Sequence, residues 1–220
     1  MSLPKPGTPT MEAYQKVRRA ISNQTLKPGK ALTENFLCES LNMGRSPIRA
    51  ALQQLALDGF VEMSPNRSAR VSQFTQDQIR HVYDLRGMVL AHALESTIDS
   101  YEEKDIQFLT ECLLRQENSF RDYNFEEYLN AIYDYYYYMI QKAKNPYLDE
   151  IADSILKRIN VFLCLYDNFY SVKKLKTLPI HQKMIHAIQQ RKLKNVMKAH
   201  NELSRRILTA YDAMILNNAD

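Results

Sequence analysis

Arg45 and Arg49 stand four residues apart, with Ser46 between them, in a segment of helical character. On an α-helix that spacing puts both guanidinium groups on one face. A planar guanidinium pairs with a phosphate, or bidentately with O6 and N7 of a guanine, and a serine hydroxyl donates to either kind of acceptor. Arg67 and Arg70 form a second basic pair in and just after a polar loop, Ser64 to Ser68. From such a loop they would meet backbone phosphates or a minor groove. Solvated surfaces also carry arginines, so spacing alone leaves both readings open for all four.

A second set of chemically capable residues lies further on. Tyr133, Tyr135, Tyr136, Tyr137 and Tyr138 crowd one segment, and the five histidines stand at 81, 92, 181, 186 and 200. At helical spacing Leu129, Ile132, Tyr133, Tyr136 and Ile140 form an inward stripe. That stripe is either aromatic core, or Tyr133 and Tyr136 line a cavity in which phenol hydroxyls bind a polar group. No nucleophile elbow, P-loop, GxGxxG, HExxH or zinc-cysteine spacing occurs, which argues against an enzyme.

The elements that must position these residues fall into two kinds. Before residue 75, Met11–Gln24 reads as an amphipathic helix, Thr33 and Glu34 open a short helix ending near Leu41, and Ser46-Pro47 starts a third that runs to Leu57. Phe60–Met63 and Ala69–Ser72 are short strands around the polar loop. Three helices and a small hairpin make a winged helix-turn-helix, with Ile48, Ala51, Leu52 and Leu55 as the buried face of the third helix. Beyond residue 75 only Gly87 interrupts a stretch that reads as almost wholly helical. Its first stripe is Ile79, Val82, Leu85, Val89 and Ala93, and further helices fit 103–121, 124–143, 147–167, 176–191 and 192–216. Asn145-Pro146 and Leu178-Pro179 mark breaks. The expected organisation is therefore mainly α: a flexible lead-in over 1–10, a winged helix-turn-helix over 11–75, and an all-helical bundle over 76–220.

Charge follows the same division. Residues 1–75 hold 10 Lys plus Arg against 5 Asp plus Glu, whereas residues 76–220 hold 19 against 20. A basic module joined to a neutral body suggests a polyanion-binding domain with a separate body. Cys38, Cys112 and Cys164 are odd in number and widely spaced, the pattern of reduced thiols in a cytoplasmic protein. No apolar run approaches the roughly 18–20 residues of a membrane span. An alternative with the same architecture is a helical interaction protein whose winged helix binds a protein.

The first module closely resembles the DNA-binding domain of GntR-family bacterial transcription regulators. The likeness is carried by Leu26-Lys27-Pro28-Gly29, Leu32-Thr33-Glu34, Leu37, Gly44-Arg45-Ser46-Pro47-Ile48-Arg49-Ala50-Ala51-Leu52, Leu55 and Asp58-Gly59-Phe60-Val61. It implies that Arg45, Ser46 and Arg49 contact operator DNA. Gly44 stands where the family usually has serine, and Ser68 where it has the wing-tip glycine.

The helical body more loosely resembles the effector-binding domain of the FadR-like branch, through Asp84-Leu85-Arg86, Leu90, Ala143-Lys144-Asn145-Pro146-Tyr147-Leu148 and His181-Gln182-Lys183-Met184-Ile185-His186-Ala187-Ile188. Many members of that branch hold a divalent metal with an aspartate and three histidines. Those four positions fall here on Ile132, Tyr136, His181 and Leu203, so the metal is expected to be lost, with His200 one turn before Leu203. The resemblance implies that Arg86 faces a cavity where it pairs with an acidic ligand; the other reading of Arg86 is an interhelical salt bridge. Arg86, Tyr133, Tyr136, His181 and His200 thus outline an expected effector site for a small carboxylate or similar anion. Expected partners are operator DNA, that effector and a second copy of the chain in a homodimer. A regulator of this kind, usually a repressor, needs no cofactor.

Overall fold

The computed structural model describes residues 5–65, 67–167, 169–170 and 172–217. The first four residues of the expected lead-in and the last three of the expected second domain lie outside the described residues. The chain divides into two compact units: one takes in the chain up to Thr75 together with Val161–Asp167, the other Gln76–Asn160 and the remainder.

In the first unit, α1 (Pro9–Ser22) starts earlier than the sequence suggests. The Thr8 side chain accepts a hydrogen bond from the Met11 amide, and Pro9 sits in the first turn, where it has no amide to leave unpaired. Pro9 and Thr10 therefore belong to this helix and not to a flexible lead-in. Helix α2 (Glu34–Leu41) is capped by Thr33 and ends at Asn42 in a left-handed conformation. Helix α3 (Arg45–Leu57) follows after three residues, with Gly44 as its cap residue. Ile48, Ala51, Leu52 and Leu55 are all buried, as their spacing requires.

Asp58, just past α3, ties the helices together: its carboxylate accepts from Tyr14 Oη at 2.7 Å and from Gln54 Nε2 at 3.0 Å. The strands are short. A strand the sequence did not reveal, β1 (Ala31–Leu32), pairs antiparallel with β3 (Ala69–Val71), which also pairs with β2 (Val61–Glu62), giving the order β1-β3-β2. Two residues are too few to show alternation, which is why β1 escaped a pattern-based reading.

The segment Val161–Asp167, counted with the second domain on sequence grounds, groups with the first unit. Phe162 meets Phe74 edge-on at 5.0 Å between ring centres, the Phe74 amide donates to Tyr166 Oη at 2.9 Å, and Gln24 Nε2 donates to the Leu165 carbonyl at 2.9 Å. Helical periodicity locates an apolar face but not the partner that covers it.

The second unit is helical: α4 (Gln76–Thr97), a short 3-10 turn at Ile98–Ser100, α5 (Glu103–Arg121), α6 (Phe125–Gln141), α7 (Pro146–Tyr166), α8 (Leu178–Gln189) and α9 (Leu193–Asn217). Pro146 opens α7, and Pro179 lies in the first turn of α8, so both prolines mark helix starts. The second unit departs from the sequence expectation at two helices. Leu85, placed in the inward stripe of α4, is 41% exposed, while Tyr83, Arg86 and Leu90 face inward. Of the five clustered tyrosines on α6, Tyr135 and Tyr136 are the buried ones, and Tyr133 instead donates to Asp153 Oδ1 at 2.6 Å. The rest of each stripe is buried: Ile79, Val89 and Ala93 on α4, and Leu129, Ile132, Tyr136 and Ile140 on α6, with Val82 partly so. The N-terminus of α5 is fixed by Asp105, which accepts from the Glu102 amide, from Tyr138 Oη at 2.6 Å and from Lys142 Nζ at 2.8 Å.

Candidate functional site

Two constellations stand out, one in each unit. The first is the outer face of α3. Arg45, Ser46 and Arg49 are all exposed there, and with Ala50 and Gln53 they line a shallow groove. The turn at Asn42 and Gly44 sets the start of α3, so the arginines lie on its first turns, opposite the buried face. Arg49 is held in a fork by Glu34, with Nε to Oε1 at 2.7 Å and Nη2 to Oε2 at 2.9 Å. That hydrogen-bonded pairing lowers the Glu34 pKa and raises that of Arg49. Arg45 Nη2 donates to Asn35 Oδ1 at 3.1 Å. Among the wing residues, Arg67 is exposed, and Arg70 Nη1 donates to the Gly29 carbonyl at 3.0 Å. Gly29 reaches that position through a φ of +79°, a conformation that suits glycine.

The second constellation is buried. Arg86 on α4 is 2% exposed, and its guanidinium carbon lies 4.7 Å from the ring centre of Tyr83 and 4.3 Å from that of Tyr136. Arg86 Nη2 donates to Ser204 Oγ at 3.1 Å, while its Nε has no hydrogen-bond partner. Among the described residues no carboxylate pairs with it. Tyr136 Oη lies 3.3 Å from His181 Nε2, and His181 Nδ1 lies 3.2 Å from Gln116 Oε1. A proton on Nδ1 leaves Nε2 to accept from the phenol. His200 Nδ1 faces Asn201 Oδ1 at 3.3 Å, and its buried Nε2 has no partner. Burial, then the positive charge of Arg86, hold both imidazoles down to about 3, so both are neutral at pH 7. Burial likewise pushes the Tyr136 phenol up.

Both units match known sequence families. Residues 9–71 match the family described as bacterial regulatory proteins, gntR family, and residues 81–206 match the FCD domain. The chain belongs to the GntR family of bacterial regulatory proteins. It is a transcriptional regulator with an FCD effector-binding domain, and not an enzyme. The HTH-type transcriptional regulator YdhC of Bacillus subtilis is 23% identical over 199 residues, covering 90% of this chain and 88% of that one. The gluconate operon transcriptional repressor of the same organism is 27% identical over 158 residues, covering 67% and 64%. Among solved structures, Lar of Listeria monocytogenes superposes with a TM-score of 0.64 at 18% identity, covering 96% of this chain and 99% of that one. Escherichia coli McbR/YncC gives 0.62 at 18%, covering 97% and 99%, so the likeness in fold spans both units. The alternative of a winged helix that binds a protein is not favoured by these likenesses.

In this GntR-family chain the fold brings four of the five expected effector residues together: Arg86, Tyr136, His181 and His200. Tyr133 stands apart on the Asp153 side of α6. The alternative reading of Arg86 as an interhelical salt bridge finds no carboxylate to support it among the described residues. Residues the sequence reading missed are Gln53 on the α3 groove, and Tyr83, Gln116, Ser204 and Gly87 in the buried cluster. A Cβ on Gly87 would lie 3.2 Å from His200 Cε1, so this glycine admits the imidazole against α4. Its signal was present, since it is the sole glycine after residue 75.

The metal of related FCD domains does not fit these residues. Among the described residues no group of three or more His, Cys, Asp or Glu side chains converges on one point. Both ring nitrogens of His181 are engaged, and the fixed charge of Arg86 lies close enough to depress both imidazoles, an environment that repels a divalent cation. No helix of the described residues is long and apolar enough to cross a membrane.

Proposed function

We propose that the chain is a cytoplasmic, homodimeric repressor whose hold on operator DNA is set by a small anion bound at Arg86. The reading rests on one observation above all: a buried guanidinium with an unpartnered Nε and, among the described residues, no carboxylate opposite it. An uncompensated charge in a helical core is costly, and an anionic ligand would remove that cost. A carboxylate would pair with the guanidinium and accept from its unpartnered Nε–H. The two neutral histidines add polarity without adding charge, which favours a ligand with a single negative charge.

In the first unit, Arg45, Ser46 and Arg49 meet the major groove, and Arg67 and Arg70 meet phosphates or the minor groove from the wing. One helix-turn-helix covers few base pairs, and two-fold pairing of chains on a palindrome doubles its contacts. The gluconate operon relative is itself a transcriptional repressor.

The test is a thermal-shift and calorimetric panel of small monocarboxylates, dicarboxylates and inorganic phosphate against the full chain, with Arg86→Met in parallel. Saturable stabilisation of the unsubstituted chain that disappears in Arg86→Met supports the reading. Stabilisation that survives in Arg86→Met overturns the assignment of the site.

A further inference from the structure

We infer that Glu34 is a positioning residue that turns Arg49 into a guanine reader, leaving Arg45 as the phosphate contact. The inference rests on the reading that α3 meets DNA and adds a division of labour between its two arginines. A guanidinium has five N–H donors arranged along two usable edges. Glu34 occupies the edge formed by Nε and Nη2, at 2.7 and 2.9 Å. The opposite edge, Nη1 with the second proton of Nη2, remains as a fork. That fork matches O6 and N7 of a guanine in the major groove.

The electrostatics separate the two arginines. Arg49 and Glu34 together carry no net charge, so the pair offers a phosphate little attraction, whereas a guanine edge needs donors and not charge. Arg45 is held by the neutral amide of Asn35 at 3.1 Å and keeps its full charge. A charged, singly tethered arginine suits a phosphate oxygen.

Glu34 is itself well fixed. It is the first residue of α2, behind the Thr33 cap, whose hydroxyl accepts from the Phe36 amide at 3.1 Å. A carboxylate is favoured in the first turn of a helix, so holding Arg49 does not draw Glu34 away from a better position. Holding the fork before DNA arrives also removes rotamer freedom that Arg49 would otherwise lose on binding. Gln53, one further turn along α3 in the same groove, extends the reading face.

The experiment is selection of duplexes from a randomised pool by the full chain, by Glu34→Gln and by Arg49→Ala, followed by titration of the recovered duplex. The unsubstituted chain should recover one invariant guanine per half-site. Replacing that base with 7-deazaguanine, which lacks the N7 acceptor, should weaken its binding about tenfold and that of Glu34→Gln by much less. Glu34→Gln should also bind an unrelated duplex more tightly, with a salt slope steeper by about one, because Arg49 regains its charge for phosphates. An unchanged guanine preference in Glu34→Gln, or a selection with no invariant guanine, overturns the inference. If Arg49→Ala recovers the same site with undiminished affinity, the underlying placement of α3 on DNA fails instead.

Discussion

The guanidinium of Arg86 lies between the rings of Tyr83 and Tyr136, 4.3 Å from the centre of the latter, and donates to Ser204. The faces of the two aromatic rings offset part of its desolvation, and a neutral hydroxyl completes the partial solvation. This arrangement keeps a cation in the core with no counter-ion among the described residues.

Arg86→Met keeps much of the side-chain length and removes the charge. The ligand-free variant should be at least as stable as the unsubstituted chain, by analogy with buried ionic groups whose apolar replacement is neutral or stabilising by about 1–4 kcal/mol. Urea denaturation measures this. A loss of more than about 1 kcal/mol would show that the ring and hydroxyl contacts outweigh the buried charge.

Gly87 lies inside α4, where alanine is normally better by about 1 kcal/mol. The Cβ of Gly87→Ala would crowd His200 Cε1 at 3.2 Å. The helical gain should therefore be small or absent in the Gly87→Ala chain and appear in full when His200 is also truncated to Ala. A double-mutant cycle reads the difference; strict additivity would exclude the contact as the reason for the glycine.

Acid should weaken the second unit in a defined window. His181 and His200 take up protons in the unfolded chain near their ordinary value of 6.5, but in the folded chain only near 3. The unfolded state then binds more protons between those limits, so stability falls as the pH drops from about 6.5 toward 3. Each histidine contributes up to about 1.4 kcal/mol per pH unit inside that window. Asp105 is pushed up by burial but held down more strongly by the Glu102 amide, Lys142 and Tyr138, to about 2, so it adds to the slope only below about pH 4. Urea melts at pH 7, 6, 5 and 4 should show a flatter profile for the His181→Gln, His200→Gln double variant.

Asp105→Asn removes the charge that Lys142 Nζ meets at 2.8 Å, in a pair whose carboxylate side chain is 2% exposed. It also disturbs the reciprocal cap at the start of α5. Breaking such a pair should cost about 3 kcal/mol. A cost below about 1 kcal/mol would mean that Lys142, itself 18% exposed, turns out to water instead.

On the DNA side, Arg45→Ala should weaken binding to specific and unrelated duplexes alike and lower the salt slope by about one. A loss confined to one base position would assign Arg45 to base reading.

The sequence by itself determined the family, the helix-turn-helix, the buried face of α3 and the helical nature of the body. Those properties depend on local spacing, caps and turn residues: Thr33 and Gly44 before their helices, Pro146 and Pro179 at helix starts. It also carried Arg86 and His181 through likeness to a family pattern, Tyr136 through helical spacing, and His200 through its place one turn before Leu203. The tertiary structure decided which tyrosines face inward, that no described carboxylate answers Arg86, that Glu34 grips Arg49, and that Val161–Asp167 completes the first unit. The reason is physical. Periodicity fixes the direction of a side chain relative to its own helix, whereas hydrogen-bond partners, charge pairing and burial depend on neighbours that are 15 to 141 residues away in the chain.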